Sequence, residues 1–339
     1  MNVKPKAVCI SMMICLIWIM LLSGCRVKEK TVPSPQQQSG TQGSLMPVQD
    51  GDSIYAPWIL VDGITWKMYF GGWLTRDDHL SGDKIYYMES LDKGSTWSKP
   101  RLALHEEGHS FNDPSVVMIQ DAKSGETLYL MYFTDRVHAE SDSEPNPQIS
   151  LATSKNGIDW EYRGIVIGYD NGFDNNQAWS PSAWVDEHVA DKIYVYYHTR
   201  NSQGRILRSI LVNGGTQLLQ TNAVIDTAPD KKMKLNATIA KINDLYLMVF
   251  NESYMDENGD NSSRIVFWKS ENGENWQRDD NYVLYAEKGK WVASPFIIYT
   301  DGGCRLYFGR GNIKFPRKMD IFSIDLPCPS MSVSVAAKD

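Results

Sequence analysis

Beyond residue 25 the chain holds only two cysteines, Cys304 and Cys328, no run of lysine or arginine, and no apolar stretch long enough to span a bilayer. The lack of basic clusters, with a formal net charge of −7, argues against a nucleic-acid partner. No two histidines share a strand at ligand spacing, so no histidine metal site is expected. Residues 27–46 have almost no large apolar side chain, only Pro, Gln, Ser, Gly, Thr and charge. Such a segment cannot bury enough surface to offset its ordering entropy and reads as a tether.

What is present at the front is Lys4 and Lys6, an apolar run from Ala7 to Leu22, then Ser23, Gly24 and Cys25. Positive flank, apolar core and small residues at the cut site describe a signal peptide, and the core falls short of the ~20 residues a membrane span needs. The run Leu21-Leu22-Ser23-Gly24-Cys25 resembles the lipobox of bacterial lipoproteins, which implies lipidation of Cys25 and attachment to a membrane through that lipid. Arg26 is not the Asp that resembles an inner-membrane retention signal, so the expected location is the outer membrane, facing the periplasm or the cell surface. The expected organisation is a signal peptide over 1–24, a lipidated tether over 25–46, one folded domain over 47–327 and a tail over 328–339. Cys304 and Cys328 fit a disulfide in an oxidising compartment and fit two separate buried thiols equally well.

One short pattern recurs through the folded part: a small or acidic residue, usually Pro, then an apolar strand. Its copies begin Ala56-Pro57, Asp113-Pro114, Ser180-Pro181, Asn236-Ala237-Thr238 and Ser294-Pro295, and positions 57, 114, 181, 238 and 295 fall 57, 67, 57 and 57 residues apart. Each copy is followed by an aromatic and β-branched strand: 66–70, 128–133, 193–197, 245–250 and 305–308. Three copies add a turn closed by tryptophan, at Ser90–Trp97, Ser154–Trp160 and Ser270–Trp276, where Asp-x-Gly or Asn-Gly supplies the positive φ of a hairpin. A β-sandwich or barrel would give strands every 8 to 12 residues without the longer period. The period predicts an all-β fold, a five-bladed β-propeller of four-stranded antiparallel blades; a monomer is expected.

In a propeller, the residues that open each first strand and close each second strand converge on one mouth. The openings are Ala56, Asp113, Trp179 with Ser180, Asn236 and Ser294. The closings are Trp73, Arg76, Asp77, Asp135, Arg136, His138, His198, Arg200, Asn251, Glu252, Arg310 and Asn312. The blade period and the Asp-Pro opening resemble the five-bladed propeller glycosidases, the family 43 arabinanases and xylosidases with their invertase-like relatives. That resemblance implies a carbohydrate ligand and one carboxylate from each of the first three blades: a base or nucleophile before Pro in blade one, a pKa-tuning Asp before Pro in blade two, and a general-acid Glu near the Pro of blade three. Two carboxyl groups are needed because the glycosidic oxygen is protonated while the anomeric carbon is attacked. Asp113 fits blade two. Ala56 stands where blade one should carry its Asp, and Trp179-Ser180-Pro181 has no Glu.

The substitute acids are then Asp113, Asp135 and Glu252, with Asp77 a further geometric candidate. Trp73 and Trp179 offer flat faces for sugar C–H surfaces, His198 and His138 polar walls, and Arg136, Arg200 and Arg310 three forks suited to an anionic sugar. Two functions follow, a surface glycoside hydrolase with nonstandard acids or a catalytically silent glycan-binding lipoprotein. No cofactor is expected. The stretch Asp256–Ser262 has alternating oxygen ligands for Ca²⁺ but lacks the glycine and distal glutamate of an EF-hand loop, and reads better as an acidic turn.

Overall fold

The computed structural model describes residues 45, 52–75, 82–121, 124–137, 146–168, 177–186, 189, 192–199, 205–225, 233–242, 244–255, 259, 261–286, 289–301, 303–312 and 318–329. The signal peptide, Cys25, Arg76, Asp77, His138, Arg200, most of the Asp256–Ser262 turn and the end of the tail lie outside these residues.

The described strands are all antiparallel and fall into five sheets. The first contains β1 (Ser53–Asp62), β2 (Thr65–Trp73), β3 (Lys84–Ser90) and β4 (Arg101–Leu104), and the second β5 (His109–Gln120), β6 (Thr127–Val137), β7 (Gln148–Ser154) and β8 (Glu161–Ile167). The third contains β9 (Trp179–Val185), β10 (Ile193–His198), β11 (Ile206–Val212) and β12 (Gln217–Ile225), and the fourth β13 (Met233–Ile242), β14 (Leu245–Met255), β15 (Asn261–Ser270) and β16 (Gln277–Tyr285). The fifth has three strands among the described residues, β17 (Lys290–Thr300), β18 (Gly303–Asn312) and β19 (Met319–Leu326). The Leu45 N–H, from ahead of the first blade, donates to the Ile321 carbonyl on β19 at 3.0 Å.

Each sheet is a meander in sequence order, and the first strands β1, β5, β9, β13 and β17 pack in that order with β17 returning to β1. This is the five-bladed propeller. Five bulges mark the repeat, and they correct its register in one copy. The register of β13 on β14 shifts between Leu235 and Thr238 as that of β1 on β2 shifts between Tyr55 and Trp58. Ala237, and not Thr238, therefore occupies the position of Pro57, Pro114, Pro181 and Pro295.

The blades are fastened to one another by equivalent side chains. The residue two after each bulge residue reaches the next blade: Trp58 Nε1 donates to the Val116 carbonyl (2.8 Å), Ser115 Oγ accepts from Ala183 N–H (2.7 Å), Ser182 Oγ accepts from Ile239 N–H (2.9 Å) and Thr238 Oγ1 donates to the Pro295 carbonyl (2.7 Å). In the fifth blade the same position is Phe296, whose ring sits 4.8 Å from Trp58 and closes the circle by apolar contact. A second set of fasteners lies further out. The hydroxyls of Tyr69, Tyr132 and Tyr196 donate to the carbonyls of Gly157 (2.6 Å), Gly215 (3.0 Å) and Gly273 (3.1 Å) in the turn of the following blade. Burial raises the pKa of the Tyr196 phenol to about 12, because the phenolate would lose its hydration.

The tryptophan turns form as the glycine and Asx pattern requires. In the first, Asp92 accepts from the Thr96 hydroxyl and N–H and from Ser90, which lowers its pKa to about 2. In the other two, Asn156 and Asn272 side chains accept the N–H groups two and three residues on. Cys304 and Cys328 are joined in a disulfide, with 4.9 Å between their Cα atoms, tying β18 to the segment after β19.

Candidate functional site

The residues that begin the repeat share an unusual backbone. Ala56, Asp113, Ser180, Asn236 and Ser294 have φ of 53°, 51°, 52°, 53° and 48°, a left-handed conformation that side chains other than glycine seldom adopt. A fivefold-repeated strain needs a fivefold-repeated restraint. In three blades it is visible as a side chain of the second strand that accepts the N–H of the next blade's strained residue: Thr134 Oγ1 from Ser180 (2.8 Å), His198 Nδ1 from Asn236 (3.1 Å) and Asn251 Oδ1 from Ser294 (3.2 Å). All five strained residues line one narrow pocket on the axis.

Four of the side chains immediately before them, Tyr55, Asn112, Trp179 and Ala293, line a wider cavity of about 460 Å³ together with Leu235, the fifth. Its floor is polar. The Asp113 carboxylate accepts from the Ser180 hydroxyl at 2.7 Å and the Thr134 hydroxyl at 3.3 Å, and Asn236 Nδ2, 2.7 Å from Ser180 Oγ, lies 3.5 Å from it. Asp83, between β2 and β3, is the second carboxylate on the cavity, and it accepts from Arg136 at 2.8 Å, Asn112 at 3.1 Å and Ser110 at 3.2 Å. The Tyr55 phenol is close enough to feel both. Burial, reinforced by the Asp83 and Asp113 charges, pushes its pKa well above the ordinary tyrosine value. Trp73, Trp179 and Trp291 supply the flat apolar walls.

Residues 109–295, more than half of the chain, match the family described as Glycosyl hydrolases family 32 N-terminal domain. The chain belongs to this family. No curated protein sequence matches it. Among solved structures, this family 32 propeller is similar to BT0996 in its RGII complex, with 14% identity and a TM-score of 0.66 over 87% of this protein and 94% of that one. It is also similar to an endo-arabinase from Bacteroides thetaiotaomicron VPI-5482 (13% identity, TM-score 0.60, 85% and 99% covered). A third is the Cellvibrio cellulosa alpha-L-arabinanase complexed with arabinohexaose (15%, 0.57, 81% and 92%). At these identities the likeness is one of fold: a glycosidase-like propeller related to families 43 and 32.

Strand alternation decides which of the expected site residues reach the cavity of the family 32 propeller. On a pleated sheet neighbouring side chains point to opposite faces. Trp73 and Arg136 stand opposite Ser53 and Ser110, and Asn251 opposite Leu235, on the cavity side. Asp135, Glu252 and Arg310 stand opposite Phe111, Lys234 and Val292, one residue out of phase, and none lines the cavity.

Asp135 is buried inside blade two, held by His109 Nδ1 (2.8 Å), the Ser150 hydroxyl (2.7 Å) and the Tyr162 hydroxyl (2.8 Å). Glu252 is 0% exposed and is paired with Arg264 (2.7 Å) and Arg278 (3.2 Å). Both carboxylates, expected as candidate acids, are enclosed within their blades and do not reach this cavity. Arg310, expected at the mouth, stacks over Phe322 at 5.1 Å and is likewise off the cavity. His198 is at the cavity-side phase but is fully buried. Its Nδ1 accepts the Asn236 N–H, and the residue is not among those lining the cavity. Asp113, Trp73, Arg136 and Trp179 do come together in one cavity.

Asp83, Tyr55 and Trp291 also line the cavity, and the sequence pattern did not single them out. Tyr55 had a signal: it stands one residue before the strained position, as Trp179 does. Asp83 lies in a connection outside the repeat, where periodicity has no purchase.

Proposed function

We propose that this chain is a lipid-anchored glycan-binding protein that holds a sugar in the axial cavity without the hydrolytic mechanism of its relatives. The observation that carries the proposal is Ala56. It has the backbone pose of Asp113, φ 53° against 51° at the same bulge, so a methyl group stands where the resemblance calls for a base or nucleophile. A methyl neither attacks nor takes a proton. Of the two carboxylates on the described cavity wall, Asp83 is paired with Arg136 and Asp113 is ringed by hydroxyl and amide groups. The tryptophans remain suited to sugar C–H faces, and an RGII complex and arabinanases among the structural relatives support a polysaccharide as ligand. The signal-peptide pattern supports attachment of lipid to Cys25 and display from the outer membrane.

The test is binding of oligosaccharides to the tether-free domain by calorimetry, beside an assay of reducing-end release. Saturable binding that is lost in Trp179→Ala, with no product, is the expected result. Product release by the wild type that disappears in Asp113→Asn would overturn the proposal. It would favour the second reading, a hydrolase in which Asp83 and Asp113 act beside the Tyr55 phenol. Absence of labelled fatty acid on the wild-type chain, judged against Cys25→Ser, would remove the anchor.

A further inference from the structure

Asp83, in the connection from β2 to β3, is fixed to blade two by its backbone. Its N–H donates to Ser110 Oγ (3.0 Å), and its carbonyl accepts from the Phe111 N–H (2.8 Å). Neither bond needs a carboxylate. The side chain is nonetheless buried, and one of its oxygens draws three donors: Arg136 Nη2 at 2.8 Å, Asn112 Nδ2 at 3.1 Å and Ser110 Oγ at 3.2 Å. Taking an acid out of water is costly, and the anchorage of this segment does not require it, so the carboxylate has a second task.

Arg136 shows what that task is. Its two hydrogen bonds among the described residues, to Asp83 and to Ser110 Oγ (2.8 Å each), both leave from Nη2, while Nε is buried without a hydrogen-bond partner. The fork is held at one corner, and Asp83 supplies the charge-assisted bond there. From that corner the guanidinium reaches over the Trp179 ring, with Cζ 5.6 Å from the ring centroid, a distance at which a cation attracts an aromatic face. Trp179 opens β9 and lines the cavity together with Asp83 and Arg136. Contact therefore runs from Asp83 after the second strand of blade one, through Arg136 on blade two, to the indole on blade three. An asparagine at 83 keeps the backbone anchorage and the shape but loosens the corner, and a lysine at 136 keeps the charge but loses the flat stack.

Building on the glycan-binding reading above, we propose that Asp83 is a positioning residue: acting through Arg136, it sets the Trp179 ring against which the sugar is held. The experiment uses the whole protein labelled with 5-fluorotryptophan, its Trp179 and Trp58 resonances assigned by their loss in Trp179→Phe and Trp58→Phe. Trp58, bonded to the Val116 carbonyl (2.8 Å), reports on the ring of blades. Asp83→Asn and Arg136→Lys should each move the Trp179 resonance and leave that of Trp58 in place. In the Arg136→Lys background, Asp83→Asn should move it no further. Calorimetric titration with arabinohexaose, a galacturonate oligomer and a neutral galacto-oligosaccharide reads the sugar side. Whichever binds the wild type should bind Asp83→Asn about tenfold more weakly, with little further loss when Asp83→Asn is added to Arg136→Lys.

A Trp179 resonance that ignores Asp83→Asn, unchanged affinity in that variant, or a loss of equal size with and without Arg136→Lys would overturn the positioning role and leave the glycan-binding reading standing. If no sugar of the panel binds the wild type, both fall. A displaced Trp58 resonance in Asp83→Asn marks a disturbed fold; the comparison then passes to Arg136→Lys, in which an unmoved Trp179 is equally fatal.

Discussion

The outer fastening of the ring gives a stability prediction with an internal control. Gly214 and Gly215 are adjacent, both at positive φ, 66° and 78°. An added Cβ at Gly214 meets nothing within 4 Å, whereas at Gly215 it would be driven into the Tyr132 hydroxyl and come within 2.8 Å of Ile193 Cδ1. Gly214→Ala then costs only the left-handed backbone, about 1–2 kcal/mol. Gly215→Ala carries that cost and an overpacking cost of about 1–3 kcal/mol. The inter-blade bond from Tyr132 to the Gly215 carbonyl is strained as well. The two variants should differ in melting temperature by about 2 to 12 °C, taking roughly 2–4 °C per kcal/mol for a large domain.

Tyr132→Phe alone strands the Gly215 carbonyl and should cost about 1–3 kcal/mol. In the Gly215→Ala background it also removes the clashing oxygen, so the double variant should be less destabilised than the sum of the singles. Thermal and urea unfolding of the four variants and the wild type measure this. Indistinguishable melting of Gly214→Ala and Gly215→Ala, or strict additivity in the double variant, would refute the latch.

Three further outcomes are expected. Glu252→Gln leaves Arg264 and Arg278 around a neutral amide and should lose about 3–5 kcal/mol of stability in urea titrations, while oligosaccharide binding by the folded fraction stays at wild-type affinity. Opening the Cys304–Cys328 link, which closes a loop of sequence separation 24, should cost roughly 3–4 kcal/mol, seen as a lower urea midpoint with reductant than without. Alkali should release the tyrosine fasteners. Burial raises the Tyr196 phenol to about 12, so the folded state keeps a proton that the unfolded chain gives up near pH ~10. Stability is therefore intact below about pH 10 and declines from there toward 12, and tyrosinate absorbance should rise together with loss of the fold.

The blade count and its strands were legible because a propeller repeats one hydrogen-bonding problem five times, and Asp113-Pro114, Ser180-Pro181 and Ser294-Pro295 solve it with similar residues. The fourth copy was read one residue late because Ala237 replaces the proline. The cavity was legible at Trp73, Arg136, Trp179 and Asp113. Asp135, Glu252 and Arg310 were misjudged because closing residues were taken together, although pleating sends alternate ones away from the axis. Phase could have been counted back from the strained residue. No such count reaches Asp83, whose place is set by Arg136, Ser110 and Asn112 folding around it.

The braced positive-φ residues separate what the ring needs from what its mouth displays. Backbone turn recurs from blade to blade, yet the side chains carried on it are a methyl, a carboxylate, two hydroxyls and an amide. Five sockets of fixed direction thus accept unrelated chemistry, and a lineage can set a methyl in one and keep an acid in the next without reopening the scaffold.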